Sequence, residues 1–477
     1  MSQAIVTESK LTAIGDAIRQ QLGTSTPYTL DEMATAIASI SGGGGGGGDD
    51  NKLEVMVFDY DGTILDQVKL DNGDTYTLPT PPIHAGLTFV DWSCTETITS
   101  NTITISDCDV MIGANYTTSS GLSEFDIELT PSDVLTIRFY AYSGDVVYWG
   151  DGTNDTASSN GYIVHTYSSS GNYTISYSGT TIYAYGMSSA YYNNSTIISG
   201  YANNSASDPD FVKAIRLSNN VTSISSTYAF ASIKFCRQLI LSKNVTTIPS
   251  YMFQQSSYCL QCLIIPNGVT TINQYAFDYL TGTRYVIFPK TVTTINQYAF
   301  GHCYSNAKII LPENSTIYQR AFNNNYSLEK VYLKNGTIRG NYNFELCVML
   351  KKILLKNTSL VSAMGTFTQC KAISEIAVSG MNNFDQSCFE NCIGITKITI
   401  PNTIASLGNR AFYNCYNIIE YDFTTFSSIP IINDTSVFFN INKDCKMYVP
   451  DSLYTSWKAA SNWSAYASYI YKASERT

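Results

Sequence analysis

The sequence predicts a mainly β, multidomain protein organised around a long β-solenoid, and three observations support this. One phrase returns nine times between Phe211 and Cys445, at intervals of 22 to 24 residues, and a fixed period of this length is typical of a solenoid. Each period carries a short apolar run, such as Cys262 to Pro266, that is rich in β-branched residues and favours a strand. Only 14% of the residues are charged while 36 are tyrosine, a balance that indicates a β-rich extracellular or virion protein rather than a cytosolic enzyme.

The repeated phrase is clearest in two identical copies, VTTINQYAF at Val269 to Phe277 and again at Val292 to Phe300. We expect each unit to hold a strand, a turn, a second short strand of the VTTI type and a helical turn with the Ala-Phe pair. No unit can bury its own apolar residues, so the units should stack into one core over residues 211–445. The phenylalanines that close the nine copies are Phe230, Phe253, Phe277, Phe300, Phe322, Phe344, Phe367, Phe389 and Phe412.

These copies resemble the BspA-type leucine-rich repeat, whose pattern IPxxVTxIGxxAFxxCxxLxxI they match over about half of the chain. The resemblance implies a right-handed, non-catalytic solenoid of the kind used by surface adhesins and by tail proteins of phages. It does not identify what is bound. The closing segment, residues 446–477, also resembles the segment found at the end of such repeat arrays, so we expect a last strand and an amphipathic helix with Trp457, Trp463 and Tyr466 as a C-terminal cap.

Composition and charge exclude several classes of protein. The net charge is −10 and no cluster of lysine and arginine is present to neutralise phosphates, which argues against a nucleic-acid partner. No run approaches eighteen consecutive apolar residues, so no membrane span is expected. The N-terminus lacks the basic start, apolar run and cleavage site of a secretory signal, and we therefore expect no export by the general route.

The twelve cysteines follow the repeat phase more than a disulfide framework. Five of them lie three residues after a repeat phenylalanine, and Cys236 and Cys259 lie six residues after one, so buried thiols are the favoured interpretation. Disulfides between adjacent coils stay a sterically permitted alternative. The pair Cys259 and Cys262 forms a single CxxC without a second ligand pair, which disfavours zinc. The five in-phase cysteines are Cys303, Cys347, Cys370, Cys392 and Cys415.

Residues 1–41 are predicted to form a helical attachment and oligomerisation module. Its first helix presents an apolar face and ends at Gly23, and Thr29 with Glu32 makes a capping box for a second helix. Two such helices cannot hold a core alone, so sister copies, with a trimer preferred, or another protein should complete it. The stretch resembles the N-terminal module of phage tail-fibre and baseplate-associated proteins. Glycines dominate the linker that comes next, residues 42–51.

Residues 52–103 contain the phrase VMVFDYDGTIL, which resembles the first motif of haloacid-dehalogenase-like phosphatases. That resemblance would make Asp59 the nucleophile and Asp61 the acid/base. The residues after this phrase have strand and turn chemistry where that fold needs a helix, and they better resemble the internalin B-repeat, a small β-grasp module. In that interpretation Asp61 and Gly62 form a hairpin turn, and Phe89 and Trp92 are core residues.

Residues 104–181 are predicted to form a β-sandwich. The phrases YWGDGT, HTY and GNYTI resemble the PKD-type domain in order and spacing. Asp151 and Gly152 should make a tight turn, with His165 and Tyr167 closing the sandwich, while a metal at Asp151 or His165 is the less favoured alternative. The tyrosine-rich residues 182–210 are expected to connect to the solenoid and cap its open end, or else to stack on sugars.

The predicted function is binding, with no catalytic residue, no metal and no cofactor. In-phase side chains are committed to the core, so contacts should come from the turns after each phenylalanine, where tyrosine and asparagine replace charge and suit a neutral glycan. We interpret the chain as a virion tail protein that attaches by residues 1–41 and binds a host cell-surface glycan or protein; the alternatives are a bacterial cell-surface adhesin and, more distantly, a phosphatase. The candidate binding residues are Tyr279, Asn323, Asn324, Asn325, Tyr326 and Tyr416.

Overall fold

The computed structural model describes residues 52–130, 136–183, 198–202, 205–207, 210–225, 227–256 and 259–476. The predicted helical module at 1–41 and the linker at 42–51 lie outside these residues. Residues 53–477 form one compact unit, and strands connected by turns make up nearly all of the regular secondary structure in its described residues. Within the described ranges, no helix has the length and apolar character needed to cross a membrane.

The first module, residues 53–118, is a four-stranded sheet accompanied by a two-stranded ribbon. The sheet order is β2-β1-β6-β4, and β1 pairs antiparallel with β2 but parallel with β6. The predicted boundary at residue 103 is therefore wrong, because β6 is an inner strand that is buried along nearly its whole length. The strands are β1 (Leu53–Phe58), β2 (Ile64–Leu70), β3 (Thr75–Thr77), β4 (Leu87–Ser93), β5 (Thr102–Thr104) and β6 (Val110–Thr118).

The second module contains two sheets that face each other across Phe125 and Phe139, whose ring centroids are 5.3 Å apart. Two of its strands, β14 and β15, come from the segment predicted to cap the solenoid. That prediction is wrong for these residues, because β14 pairs with β8 inside this module. The strands are β7 (Ser123–Leu129), β8 (Thr136–Ala141), β9 (Val146–Tyr148), β10 (Asn154–Thr156), β11 (Gly161–Thr166), β12 (Gly171–Tyr177), β14 (Ile198–Ala202) and β15 (Ser205–Ser207). The short strand β13 (Thr181–Ile182) lies outside both sheets and pairs in parallel with Ser223 and Ile224 of the solenoid.

The remaining strands form a β-solenoid in which most strands pair in parallel with the strand one repeat further on. The longer strands of each coil are β16 (Val212–Arg216), β18 (Gln238–Ile240), β20 (Cys262–Ile264), β22 (Tyr285–Ile287), β24 (Lys308–Ile310), β26 (Lys330–Lys334), β28 (Lys352–Lys356), β30 (Glu375–Ser379), β32 (Lys397–Thr399), β34 (Glu420–Asp422), β36 (Lys446–Val449) and β37 (Ile470–Lys472). The shorter strands are β17 (Ser223–Ile224), β19 (Thr247–Ile248), β21 (Thr271–Ile272), β23 (Thr294–Ile295), β25 (Thr316–Ile317), β27 (Thr337–Arg339), β29 (Ser359–Val361), β31 (Asn383–Phe384), β33 (Ser406–Leu407) and β35 (Ile431–Ile432).

The phenylalanines form a column of stacked rings along the interior. From Phe277 to Phe412 successive ring centroids lie 5.2 to 5.5 Å apart, close to the spacing of adjacent strands. The column continues beyond the predicted ninth copy to Phe438, which stacks on Phe412 at 5.9 Å. The spacing of 26 residues between these two phenylalanines conceals this further coil in the sequence.

The second module closes the N-terminal end of the solenoid. Strand β16 pairs antiparallel with β7 and parallel with β18, so one sheet runs from the module into the first coils. Arg216 fixes this junction, since its guanidinium contacts Asp126 at 2.6 Å and Glu124 at 3.2 Å. Phe125 continues the ring column beside Phe230. No separate capping segment is needed at this end because another β-module covers the open coil.

The first module packs against the sheet of longer solenoid strands. Its apolar contact joins Phe58 and Met111 to Ile264 and Ile287, among other buried residues. Beside this contact Lys308 Nζ lies 2.6 Å from a Glu54 carboxylate oxygen and 2.8 Å from one of Asp109. These polar and apolar contacts hold residues 53–118 on the solenoid.

The C-terminal segment covers the last coil with aromatic side chains, although not as one helix. It contains α1 (Tyr454–Ala459), followed by a 3-10 helix at Trp463–Tyr469, with shorter 3-10 turns at Asp451–Leu453 and Ala473–Glu475. Asn462 has a left-handed backbone (φ 61°), which separates the two helices, and β37 then adds a final parallel strand. Trp457, Trp463 and Tyr466 are buried.

Candidate functional site

The aspartates that resemble a phosphatase motif lie in a tight turn between antiparallel strands. The Asp59 N–H donates to the Thr63 carbonyl at 2.8 Å, and Gly62 takes the left-handed conformation (φ 92°). The buried Asp59 carboxylate lies 2.8 Å from His84 Nε2, while the Asp61 carboxylate accepts the Thr63 N–H. Strand β2 stands where a phosphatase requires a helix, so this phrase is structural.

The second sequence candidate, around Asp151 and His165, also has a structural role. His165 Nε2 lies 2.8 Å from the Asp151 carboxylate, and the imidazole stacks on Trp149 at 4.6 Å. The Tyr167 hydroxyl donates to the Trp149 carbonyl at 2.8 Å, and Gly152 makes the expected turn (φ 93°). Within the described residues, no group of three or more histidine, cysteine, aspartate or glutamate side chains is arranged to hold a metal ion.

The in-phase cysteines each complete a hydrogen bond between adjacent coils. The five thiols donate to the carbonyl oxygen of the repeat phenylalanine in the preceding coil, at 3.0 to 3.4 Å. Ser256 and Asn325 occupy the same repeat position and donate to the corresponding carbonyls of Phe230 and Phe300. The predicted burial of these cysteines is confirmed, and seven of the nine copies carry a side-chain donor at this position, with Ile233 and Leu280 in the other two.

Chemical labelling should distinguish Cys259 from the other cysteines. Eleven of the twelve free thiols are buried and Cys259 is half-buried; burial also raises the pKa of the Cys303 thiol, which disfavours the reactive thiolate. A thiol reagent should therefore modify one cysteine in the folded protein and twelve in denaturant, as read by mass spectrometry. Cys259→Ser should abolish labelling of the folded chain. Native labelling of Cys392 would contradict the described burial.

The turns that follow the phenylalanines place four of the six predicted binding residues at the surface. Tyr279, Tyr326 and Tyr416 are exposed by 36, 41 and 43%, and Asn324 is half-buried. Tyr279 stacks on His302 at 4.2 Å. Tyr416 lies four coils beyond Tyr326, a distance of about 19 Å at the usual strand spacing.

The prediction is wrong for two asparagines in the same turn. Asn323 and Asn325 are buried, with exposures of 4 and 0%. The Asn325 amide donates to the Phe322 carbonyl as well as to that of the preceding coil, and its oxygen accepts a hydrogen bond from Asn306. Asn325 is thus part of the hydrogen bonding between coils and is not available to a ligand.

A second row of side chains, which the sequence analysis did not identify as a site, lies two residues before each phenylalanine. Tyr228, Tyr251, Tyr275 and Tyr298 stack on one another with ring centroids 4.8 to 4.9 Å apart. Arg320 continues this tyrosine ladder, because its guanidinium donates to the Tyr298 hydroxyl at 2.6 Å and also covers the next tyrosine ring, Tyr342.

Two left-handed residues in each of the nine predicted coils set the direction of these two rows. In the coil of Phe277 they are Tyr275 (φ 57°) and Tyr279 (φ 61°), and each of the nine coils repeats the pair two residues before and two after its phenylalanine. Side-chain-bearing residues rarely adopt this conformation. Here it forms the corners of the turn that directs the phenylalanine inward and leaves most of the flanking side chains exposed or half-buried, with Ser232 and Ser387 as buried exceptions.

A polar groove of about 430 Å³ runs beside the tyrosine ladder. Side-chain amides from successive coils line it, and Asn296 donates to the Asn273 side-chain oxygen at 3.1 Å. The groove begins at Ser250 and ends at Arg339 and Gly340. Burial, with the neighbouring tyrosines, raises the pKa of Tyr275, so this hydroxyl stays protonated at neutral pH and both donates and accepts. The amides that line the groove are Asn273, Gln274, Asn296, Gln297 and Gln319.

The sequence matches the family described as "BspA type Leucine rich repeat region", in six copies at residues 191–281, 255–373 and 363–459. These ranges together span more than half of the chain. The chain belongs to the BspA-type leucine-rich repeat family. No curated protein matches it.

Solved structures with which this BspA-type chain shares similarity include three bacterial leucine-rich repeat proteins. The T. pallidum leucine rich repeat protein is 24% identical over 33% of this chain and 77% of that one, with a TM-score of 0.29. A leucine rich cell surface protein from Faecalibacterium prausnitzii is 19% identical over 57% and 88%, with a TM-score of 0.28. A leucine-rich repeat protein from Bacteroides ovatus is 18% identical over 58% and 87%, with a TM-score of 0.27. Such low identities carry no information on ligands.

In this BspA-type chain the sheet of longer strands is partly covered by the chain itself. Residues 53–118 pack on β20 to β28 and cover part of this sheet. The polar and aromatic surfaces that repeat from coil to coil are therefore the two rows of side chains on either side of the phenylalanines. The sequence did contain a signal for the tyrosine ladder. A tyrosine stands two residues before the phenylalanine in five of the nine copies, although the packing of the core does not require a tyrosine at this position.

Proposed function

We propose that this BspA-type protein is a non-enzymatic cell-surface protein that binds a glycan or protein on another cell surface through the outer face of its solenoid. The observation that carries this proposal is the tyrosine ladder with its adjacent amide groove. A protein that needs these side chains only for solubility would carry charges there, as most surfaces do. Ordered tyrosine hydroxyls and amides instead suit recognition of polar, uncharged groups.

The exposed tyrosines after the phenylalanines are proposed as further contacts. Tyr279, Tyr326 and Tyr416 present aromatic surface on a chain with few charges, and Asn324 accepts a hydrogen bond from the Tyr326 hydroxyl. Aromatic residues with a polar tip are common at interfaces, where one end is buried and the other is hydrated. The structural roles found for Asp59 and Asp151 leave binding as the better supported class of function.

Location on a virion tail depends on residues 1–41, whose sequence resembles phage tail-attachment modules. Those residues lie outside the described part of the chain. Attachment to tail or baseplate proteins, and assembly into a homo-oligomer with a trimer preferred, therefore stay predictions from sequence. The family match is independent of this module, and it supports the cell-surface alternative more directly than the tail location.

Binding of the full-length chain to intact cells tests the proposed function. We expect the labelled protein to bind a cell surface and to keep most of that binding at high salt, because the proposed contacts are uncharged. Asp59→Asn is the matched control: it removes the phosphatase-like carboxylate and should leave binding unchanged, with no hydrolysis of a generic phosphate ester by either protein. Failure to bind bacterial or animal cells, or ester hydrolysis that depends on Asp59, would overturn the proposal.

A further inference from the structure

We propose that the groove beside the tyrosine ladder binds an extended, uncharged polysaccharide chain that lies parallel to the solenoid axis, with about one sugar ring per coil. This inference rests on the proposed binding function and names its ligand class and site. It differs from the sequence-based hypothesis, which places sugars on the turns after the phenylalanines.

The first argument is the spacing of the groove. Tyrosine rings on its rim recur every 4.8 to 4.9 Å, and glutamines recur with the same period at Gln274, Gln297 and Gln319. The rings of an extended linear polysaccharide recur at a similar interval along the chain. A polypeptide strand does not, because its side chains on one face repeat every two residues, at about 6.6 Å. The groove thus offers the same polar contacts to each successive sugar.

The second argument is the chemistry of the lining. Each side-chain amide supplies donors and an acceptor, as does a tyrosine hydroxyl, and sugar hydroxyls also both donate and accept. Arg339 is the charged residue of the lining, and Arg320 nearby already donates to Tyr298. A polyanion needs several cations along its path. The described lining therefore favours an uncharged polymer.

The third argument is that the backbone along the groove is already paired. The N–H groups of Tyr251, Tyr275 and Tyr298 donate to the carbonyls of Gln274, Gln297 and Gln319 in the next coil, at 3.0 to 3.2 Å. A peptide that binds by strand addition needs an unpaired edge, which these residues do not offer. Recognition must therefore come from side chains.

The stacked rings also determine how the sugar is held. Each tyrosine of the ladder lies nearly parallel to its neighbour, for example within 8° for Tyr251 and Tyr275. The ring faces cover one another, so they are unavailable for stacking on a sugar. Hydrogen bonds from amides and hydroxyls are left as the means of recognition, which makes the groove selective for hydroxyl pattern and polymer direction.

The ends of the groove set the length of the bound segment. The repeat phenylalanine lies five residues after Ile272, Ile295 and Ile317, but six residues after Ile338. The added residue falls at Arg339 and Gly340, where the groove ends. At the other end Pro249 replaces the asparagine of later coils. The groove therefore spans five coils, from Ser250 to Gly340, and affinity should increase with oligosaccharide length up to about five units.

The experiment uses calorimetry with the full-length chain and oligosaccharides of increasing length derived from neutral glucan, mannan and chitin. We expect one series to bind with affinity that rises and then levels off, and the double variant Gln297→Ala, Gln319→Ala to weaken it at least about tenfold, the loss of roughly one strong contact. Gln386→Ala is the matched control, because this exposed glutamine holds the equivalent position in a coil beyond the groove. Its affinity should equal that of the unmodified chain.

The outcomes separate this inference from the proposed function. If the protein binds cells and the double variant binds them equally well, the groove is not the site although the proposed function stands. If it prefers an anionic polysaccharide and releases it at moderate salt, the uncharged ligand class is wrong. Absence of binding to both cells and oligosaccharides would overturn the proposed function together with the inference. Unchanged thermal unfolding of both variants ensures that a loss reports on the groove.

Discussion

Replacement of Phe300 with alanine is expected to lower the free energy of unfolding by about 3–5 kcal/mol, because its ring fills the middle of the continuous core. The side chain is fully buried and stacks on Phe277 at 5.2 Å and on Phe322 at 5.4 Å. Parallel ladders fix the coils on both sides, so the cavity cannot close by a local shift. Urea unfolding followed by circular dichroism measures the loss.

Tyr416→Ala is the matched control for this prediction. It also removes an aromatic ring from a coil of the solenoid, but the ring is 43% exposed, and we expect a change of about 0.5 kcal/mol or less. The stability of a repeat array depends on the interfaces between neighbouring repeats, so the unfolding of the two variants is measured under identical conditions. Equal destabilisation would show that the assignment of inward and outward positions is wrong.

The solenoid could be predicted from sequence because every coil must bury the same kinds of side chain at the same positions. A phenylalanine and two apolar strands must face inward once per period, and the pattern is visible wherever the period holds. The coil that contains Phe438 was not predicted because this phenylalanine follows Phe412 after 26 residues, outside the usual interval of 22 to 24. Trp457 and Trp463 could be expected to pack on the end of the core because large apolar side chains after the last repeat have one available core, and both are buried.

The binding residues were harder to predict, because residue type does not show which way a side chain points. Asparagine in a turn was expected to face solvent, yet Asn325 is buried and satisfies backbone carbonyls between coils. Tyr275 belongs to the repeated phrase, yet its ring is half-exposed because its backbone is left-handed. A left-handed tyrosine is uncommon, and although the recurrence of tyrosine marks this position in the sequence, it does not show which way the ring points.

The packing of the first module on the solenoid could not be predicted, because its contacts join residues far apart in the chain. Asp109 pairs with Lys330, which lies 221 residues later in the sequence, and Glu54 pairs with Lys308, which lies 254 residues later. The lysines belong to successive coils, so they resemble ordinary exposed strand residues in the sequence. Only the position of β6 beside these strands reveals their partners.

Asp109→Ala is expected to destabilise the protein by about 3–5 kcal/mol, because it removes the acid at the centre of a buried ionic network. One Asp109 oxygen lies 2.8 Å from Lys308 Nζ and 3.1 Å from Lys330 Nζ, and accepts the Tyr332 hydroxyl at 3.3 Å. Its other oxygen accepts the Glu54 N–H at 3.0 Å. Without Asp109, the buried Lys308 keeps only one carboxylate partner. Urea unfolding measures the loss, and faster proteolysis of residues 53–118 locates it.

The pH dependence of the same network tests whether charge, rather than packing, holds the first module. Burial alone would raise the pKa of the Asp109 carboxyl, but Lys308, Lys330 and the Glu54 N–H outweigh it and lower the pKa to about 2. This stability is complete above the unfolded pKa of about 4 and is lost as the pH falls through about 2, below which both states are protonated. Asp109→Asn should therefore differ most from the unmodified chain above pH 4 and converge with it in acid. Lys356→Ala, which breaks only the exposed pair with Asp107, should change stability little at any pH. A constant difference between Asp109→Asn and the unmodified chain across this range would show that shape, and not the carboxylate, accounts for the docking.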